Sequence, residues 1–336
     1  MRYLGVPLRE KSGKFIRYGM DIEGLKKFKL HCHRIENAGN KLQMAVKSTG
    51  NTKYFKKEME KEGFKVKVVN TLKFKVVNES VNKTDKRDAK TIAEFLSKDM
   101  IPEVKLSSDA SDKLKKLITA RKLLVETNVK LKNQLHGILL GLGIKTRVGQ
   151  MNSKKGRVKI LMSLEDKTYR RISELLTGNI DEIANQVKNI NAELEKLTEN
   201  DRAVQILRSI PGTGLITAVT VRAYIDDIRR FSHYNRLSSY CGLVPKVKCS
   251  DTNEWYGRIT KRGPVELRTA IIQMVLGMIR FKVERNNRLM NIYAKMKKIK
   301  GSGKSLVAVA RKFTRIIWVM LTRNEEFDRN KLSLEY

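Results

Sequence analysis

Two aspartates, Asp85 and Asp88, stand three residues apart in the segment VNKTDKRDAKTIAEF, residues 81–95. Thr84 is a good N-cap residue and predicts a helix to about Lys98, which puts both carboxylates on one face. They could be surface carboxylates paired with neighbouring cations. They could instead be two ligands of a divalent metal that works on phosphates, with the adjacent Lys86 and Arg87 holding nucleic acid.

The charge balance favours a polyanionic partner. Lys and Arg number 70 against 35 Asp and Glu, a net charge of +35 spread along the chain. Such a protein repels itself unless it meets a polyanion. Nucleic acid is the first candidate because each phosphate neutralised by Lys or Arg releases a condensed counterion. An acidic membrane surface is the second.

The cysteines and the apolar segments bear on location. The opening MRYLGVPLREKSGKF carries charges where a signal peptide needs an apolar core, and no stretch is long and apolar enough for a membrane span. The three cysteines have no CxxC spacing, which suits a reducing cytoplasm and argues against a zinc ribbon. His31, Cys32 and His33 are adjacent, which is poor geometry for metal ligands. We therefore expect a cytoplasmic protein.

Strand and helix patterns alternate in the first third of the chain. KLQMAVKSTG predicts a buried strand, and FKVKVVN, residues 64–70, a second one. Between them NTKYFKKEMEKEG predicts a helix, capped by Asn51 or Thr52 and stopped by Gly63. This order implies two parallel strands with a right-handed crossover.

Long helical patterns fill the middle of the chain. One runs from Ser107 to about Leu142, and a second begins near Tyr169 after GLGIKTRVGQMNSKKGR, a predicted loop or linker. In the second helix an a/d seam is spaced 3, 4, 3, 4, 3: Ile180, Ile183, Val187, Ile190, Leu194 and Leu197. The seam could form an intramolecular hairpin with the first helix or a dimerising coiled coil.

Glycine-rich and basic turns mark the last third. SIPGTGLITAVTVRAYI resembles a helix-hairpin-helix, in which Gly212, Thr213 and Gly214 would aim backbone N–H groups at a phosphate. A plain corner between two helices is the alternative. The turn ITKRGP contributes Lys261 and Arg262 before an apolar helix that begins near Val265. A final helix, Ser305 to Leu321, is predicted behind a flexible KKIKGSGKS.

Four segments together resemble the IS110 family of insertion-sequence transposases, including its IS1111 branch. They are KTDKRDAKTIAEFL, IPGTGLITA, FSHYNRLSSYCGLVP and GRITKRGPVELR, in the family's order. The resemblance implies an α/β plus α fold. Its parts are a RuvC-like (RNase H-like) N-terminal domain, a helical coiled-coil region and a mostly helical transposase domain with a helix-hairpin-helix-like motif. We assign these to residues 1–105, 106–201 and 202–290, and residues 291–336 to a basic linker and C-terminal helix.

The same resemblance implies a DEDD set of four acids that bind Mg²⁺. The third and fourth match Asp85 and Asp88. Lys47, in AVKSTG, stands where the second acid belongs, and Pro7 stands in place of the first, in an opening strand that looks shortened. Asp21 lies too far along the chain to substitute.

The family's C-terminal domain supplies a nucleophilic serine, and the matching position is Ser250 in the loop KVKCSDTNEW. The resemblance further implies double-stranded DNA as substrate, a structured noncoding guide RNA and a homo-oligomer, dimer or tetramer, formed through the coiled coil.

Lys47 and Pro7 lead us to expect a transposase that binds nucleic acid but cleaves poorly. A cation at the second ligand position would repel the metal and pair with Asp85 or Asp88. Pro7 has no ligand atom to offer. The alternatives are a non-catalytic DNA- or RNA-binding remnant, or repressor of active relatives, and a structural RNA-binding protein unrelated to transposition.

Overall fold

The computed structural model describes residues 16, 18–39, 42–71, 73–74, 84–147, 149–250, 253–280 and 288–328. In these ranges the chain is mostly helical with few strands. It divides into two compact units, Met1–Ser107 and Ser108–Tyr336. No helix in the described ranges is both long and apolar enough to cross a membrane.

The first unit contains the predicted strand, helix and strand. Helix α1 spans Ile22–Asn37, β1 Met44–Lys47, α2 Thr52–Lys61 and β2 Val66–Val69. The strands are parallel, with Met44 opposite Val66 and Lys47 opposite Val69, which confirms the predicted pairing. Buried residues of α1, α2 and both strands form one core around Phe28, Phe55 and Met59.

The predicted helix after Thr84 is also confirmed. Helix α3 spans Asp85–Ser97, and the Thr84 hydroxyl accepts a hydrogen bond from the backbone N–H of Arg87. Ile92 and Leu96 of this helix pack with Val69 at the end of β2 in a second small core. The cap therefore fixes where the helix begins, and the apolar face fixes how it lies on the strands.

In the second unit, α4 (Asp109–Gly141) and α6 (Lys167–Thr198) form an antiparallel hairpin. The Arg121 guanidinium donates to Asn191 at 2.7 Å, and the Asn128 amide donates to the carbonyl of Ile180 at 3.0 Å. Of the two interpretations of the heptad seam, the intramolecular hairpin is therefore confirmed, and a dimerising coiled coil stays a prediction.

The loop predicted between these helices is wrong in part. Residues Lys154–Met162 form a helix, α5, which follows a 3₁₀ turn and is capped by the Ser153 hydroxyl. Its Ile160 packs with Leu135, Leu139 and Ile180 of the hairpin. Buried Arg157 donates to the carbonyl of Met151 at 2.7 Å and pairs with Asp181 of α6. The basic residues of this segment are typical of a solvated linker, but its packing against the hairpin determines the observed structure.

The remaining elements share one core with the base of the hairpin. In chain order these elements are helices α7 (Arg202–Arg208), α8 (Leu215–Ile225) and α9 (Tyr234–Tyr240), strands β3 (Pro245–Ser250) and β4 (Asn253–Ile259), and helices α10 (Val265–Arg280) and α11 (Arg288–Arg323). The two strands pair as an antiparallel hairpin. The core joins Leu114 and Leu194 to buried residues of α7 to α11. Helix α10, apolar on nearly all sides, begins at Val265 as predicted.

The predicted flexible linker before the last helix is wrong. Residues from Arg288 onward are helical, and the interruption is a single non-helical residue, Gly301, with φ 74°. Ile292 and Tyr293 pack against the core, which explains why this basic segment is ordered as a helix. The Ser305 hydroxyl donates to the Gly301 carbonyl at 2.7 Å, one turn after the kink.

The glycine-rich turn between α7 and α8 makes a close backbone contact. A Cβ at Gly212, whose φ is +79°, would lie 2.7 Å from the carbonyl carbon of Gly277 in α10. A Cβ at Gly277 would lie 2.6 Å from the carbonyl oxygen of Gly212. Both glycines are therefore required for α10 to pack against the turn.

We predict that Gly277→Ala destabilises the protein by about 1–3 kcal/mol because the new methyl group overpacks the contact with Gly212. The matched control is Gly178→Ala in α6, where a Cβ meets no atom within 4 Å. That change removes the entropic cost of a helical glycine and should stabilise by up to about 1 kcal/mol. Urea denaturation followed by circular dichroism measures both, and equal stability of Gly277→Ala and wild type would contradict the contact.

Candidate functional site

Lys47 and Asp88 meet where β1 ends and α3 begins. The Lys47 ammonium forms an ion pair with Oδ2 of Asp88. The two side chains are 37% and 28% exposed, so water reaches both. The prediction that Lys47 would pair with one of the two aspartates is confirmed for Asp88. The placement follows from the fold, since Asp88 lies in the first turn of the helix that packs on β1.

The turn after β1 is fixed by threonine hydroxyls. The Thr52 hydroxyl donates to the carbonyl of Lys47 at 2.7 Å and accepts from the backbone N–H of Thr49 at 2.7 Å. These bonds satisfy backbone groups at the end of the strand and begin α2. They also hold the backbone of Lys47 in place beside α3.

The described residues do not fit a magnesium ion at this position. Mg²⁺ requires several hard oxygen ligands, whereas Lys47 contributes a cation that already contacts Asp88. Among the residues that the structure describes, no three His, Cys, Asp or Glu side chains cluster as a metal site would require. Asp21 serves as the N-cap of α1, with its carboxylate accepting from Gly24 N–H at 2.7 Å. Of Asp85 the backbone alone is described, and Pro7 lies outside the described residues.

The segment His31–His33 is used in packing. Cys32 is fully buried, and burial raises the pKa of its thiol to about 12. His31 Nδ1 is hydrogen bonded to the Tyr18 hydroxyl at 2.7 Å, and His33 Nε2 lies 3.3 Å from a carboxylate oxygen of Glu62. These partners account for all three side chains without a metal.

Ser250 is the last residue of β3, at the far end of a β-hairpin. It pairs with Asn253 of β4, and Asp251 and Thr252 lie outside the described residues. The expectation of a loop over residues 246–255 is therefore corrected, because both flanking segments are strands. Of Ser250, too, the backbone alone is described.

The base of this hairpin is anchored by backbone contacts that involve Lys261. Its backbone N–H donates to the carbonyl of Gly242 at 3.1 Å, and Thr260 N–H donates to the carbonyl of Val244 at 2.8 Å. A Cβ at Gly263 would lie 1.9 Å from the carbonyl oxygen of Tyr240. The side chains of Lys261 and Arg262 are exposed, so this turn presents two cations beside the hairpin.

Exposed cations also stand beside Asp88. Lys86 and Arg87, in the first turn of α3, are both exposed.

In the glycine-rich turn, Gly212 and Gly214 are exposed, while Thr213 N–H donates to the carbonyl of Ile210 at 3.0 Å and is not free for a phosphate. Binding of nucleic acid at these five residues, and at Lys261 and Arg262, stays a prediction. The convergence of Asp85 and Asp88, in the first unit, with Ser250, in the second, also stays a prediction.

Two family models match the chain in consecutive parts. The model for the DEDD-type IS110 transposase domain, described as a transposase, matches residues 9–144, and the model described as "Transposase IS116/IS110/IS902 family" matches residues 204–291. The chain belongs to the IS110 family of transposases. The resemblance noted from the four sequence segments is thereby confirmed.

Known proteins similar to this IS110 member include proteins named as transposases and as pilin gene-inverting proteins. The transposase for insertion sequence element IS1111A of Coxiella burnetii is 29% identical over 73% of this chain and 68% of its own length. The transposase for IS1328 of Yersinia enterocolitica is 25% identical over 93% and 98%. The pilin gene-inverting protein of Moraxella bovis is 28% identical over 79% and 75%.

Sequence reasoning predicted that Lys47 pairs with Asp85 or Asp88, but it missed the hairpin that carries Ser250. The signal was present in the alternation of KVKCS and EWYGRI around a short polar turn. This signal is weak because charged residues interrupt both runs and a glycine, Gly257, interrupts the second. Trp255, in the second of these strands, was missed with them.

We predict that Lys47→Glu creates a binding site for Mg²⁺ that the wild type lacks, because a second carboxylate would replace the cation beside Asp88. Thermal unfolding at constant ionic strength measures this. At a Mg²⁺ concentration about tenfold above its dissociation constant, the variant should gain about 1.4 kcal/mol of stability.

Lys47→Met is the control, since it removes the cation and adds no ligand. We expect little stabilisation of this variant or of the wild type by Mg²⁺. An equal Mg²⁺-dependent shift in wild type and Lys47→Glu would contradict the conclusion that the wild-type residues do not fit the ion.

Proposed function

We propose that this protein is a DNA transposase of an insertion sequence whose nucleophile is Ser250 and whose strand cleavage is impaired. Membership of the IS110 family supports the transposase role. The observation that carries the impairment is the ion pair between Lys47 and Asp88. The fold proposed for the first unit is RuvC-like, supported by its parallel strands and by α3 packing against them.

The proposed chemistry of Ser250 is transesterification. Its hydroxyl oxygen attacks a backbone phosphorus of DNA, the proton passes to solvent, and the bridging oxygen of the broken strand leaves as a hydroxyl. The phosphoseryl link keeps the ester, so that a new DNA end can attack it without an external energy source. A place at the end of a hairpin suits this role, because it presents the residue away from the helical core.

Lys47 weakens the chemistry more than it stabilises the fold. A half-exposed ion pair contributes about 0–1 kcal/mol to stability. At an effective dielectric near 20, two like charges about 4 Å apart repel by about 4 kcal/mol. A divalent ion at Asp88 carries two unit charges, so its repulsion from Lys47 at that separation would be about twice as large. The family's divalent-metal chemistry is therefore the function that the substitution removes, whereas nucleic-acid binding does not depend on it.

A non-catalytic remnant that represses active relatives is the second candidate function. It is favoured by the same ion pair, and it would act by mixing with intact copies in an oligomer. A homo-oligomer, either a dimer or a tetramer, is supported by three exposed apolar residues of α6, which are Tyr169, Ile172 and Leu175. We further propose that the substrate is double-stranded DNA, that a structured noncoding guide RNA is a partner, and that the protein is cytoplasmic. The free thiols of Cys32 and Cys241 suit a reducing compartment.

Ser250→Ala should abolish covalent attachment of protein to DNA and leave DNA affinity unchanged, because the hydroxyl is needed for the ester and not for binding. Denaturing electrophoresis of the protein with labelled element ends measures attachment. Lys47→Glu with Mg²⁺ provides the background in which attachment is large enough to detect. The control Ser239→Ala removes an exposed hydroxyl of α9 and should retain attachment. Attachment by Ser250→Ala would reject the assignment of the nucleophile.

Binding itself should depend strongly on salt. If about eight phosphates are neutralised, a plot of log affinity against log salt concentration should have a slope near −7. Basic stretches at residues 47–57 and 297–305 are the proposed contacts. Fluorescence anisotropy with labelled duplex DNA measures the slope, and a value near zero would remove the electrostatic basis of the proposal.

A further inference from the structure

An indole is exposed on the hairpin that carries Ser250. Trp255, in β4, has 58% of its surface exposed, although large aromatic side chains are usually mostly buried. Its ring lies over Gly257, where a Cβ would meet two ring carbons at 2.5 Å. Gly257 therefore leaves the space in which the indole lies along the strand, and a larger residue would displace the ring.

The strand register places Trp255 close to the proposed nucleophile. Trp255 pairs with Lys248, and Asn253 pairs with Ser250. Because alternate residues of a strand share a face, the positions of Trp255 and Ser250 belong to one face of the hairpin. They are diagonal neighbours, which lie about 7–8 Å apart in antiparallel strands. That separation is about the length of one nucleotide step.

The hairpin that carries the indole has exposed basic residues on both of its strands. Lys246 and Arg258 of the two strands are exposed, and the turn that anchors the hairpin adds Lys261 and Arg262. An aromatic ring among cations is the combination that binds single-stranded nucleic acid, because bases stack on the ring while cations neutralise phosphates. A protein partner would not need this excess of positive charge.

We propose that Trp255 is a positioning residue that stacks on a DNA base next to the phosphate attacked by Ser250. The proposal rests on the proposed role of Ser250. The base must be unpaired or turned out of the duplex, since a base inside a stack offers no free face. Stacking would hold the adjacent phosphate still while the hairpin presents the serine position to it.

Tryptophan fluorescence tests the stacking directly, because the chain has two tryptophans, Trp255 and Trp318. Trp318→Phe leaves Trp255 as the sole reporter and costs one hydrogen bond, from the indole N–H to the carbonyl of Phe231 at 2.9 Å. Single-stranded oligothymidylate of about 16 nucleotides should quench this variant. An abasic oligomer with the same number of phosphates should bind without quenching, and a fully paired duplex should quench less.

Affinity provides the second readout. Trp255→Ala should weaken binding of the oligothymidylate by roughly 5- to 100-fold, the effect of losing one stacked base. The matched control is Val247→Ala, which also alters a side chain about half exposed, on the opposite face of the hairpin, and should leave affinity unchanged. Gly257→Val keeps the indole but displaces it, and should weaken binding as well.

Equal quenching by the abasic oligomer, or equal losses for Trp255→Ala and Val247→Ala, would overturn the proposal. So would a blue shift of Trp255 emission with protein concentration alone, since a second copy would then cover the ring. None of these readouts requires cleavage, so they remain decisive if Ser250→Ala disproves the nucleophile. Conversely, if Ser250→Ala loses attachment and Trp255→Ala keeps full affinity, the stacking proposal is rejected while the proposed role of Ser250 stands.

Discussion

The Ser250 hairpin depends on a contact between two backbones. Gly263, with φ +117°, approaches the carbonyl oxygen of Tyr240 so closely that no side chain fits. Together with the hydrogen bonds of Thr260 and Lys261 to Val244 and Gly242, this contact fixes the direction in which β3 leaves and β4 returns. The start of α10 then follows directly. Backbone contacts therefore fix the base of the hairpin, next to Cys241 and Leu243, which pack in the helical core.

In the proposed function, the first unit keeps the geometry of a site whose metal chemistry is impaired. The end of β1 and the first turn of α3 meet because an apolar helix face packs on a parallel pair of strands. That packing does not depend on the charge of residue 47. A lysine there satisfies Asp88 electrostatically, so the fold tolerates the change, while the residues no longer fit a divalent cation. Selection for stability alone would not restore the acid.

Local signals predicted much of this fold. The alternating strands, Gly63 and the Thr84 cap identified β1, α2, β2 and α3 from sequence, and the heptad seam identified α6. Contacts between distant residues could not be predicted in this way. Asp226 accepts hydrogen bonds from the backbone and hydroxyl of Ser108 across 118 residues, and Gly212 contacts Gly277. The pairing of Lys47 with Asp88 was accessible because the family pattern aligned those positions, whereas Trp255 belongs to no pattern and required the strand register.

Accumulating substitutions affect nucleic-acid affinity and strand cleavage to different extents in such a chain. Affinity for nucleic acid is distributed over many of the 70 cations, and each substitution removes about one phosphate contact. In the proposed mechanism, metal-dependent cleavage depends on four positions, and we expect a single reversed charge among them to impair it. A copy that accumulates substitutions therefore loses cleavage well before it loses affinity. We propose that a protein in that state occupies element ends without cutting them. The impaired transposase and the repressor would then be successive stages of one lineage, which differ in how much cleavage activity Ser250 retains.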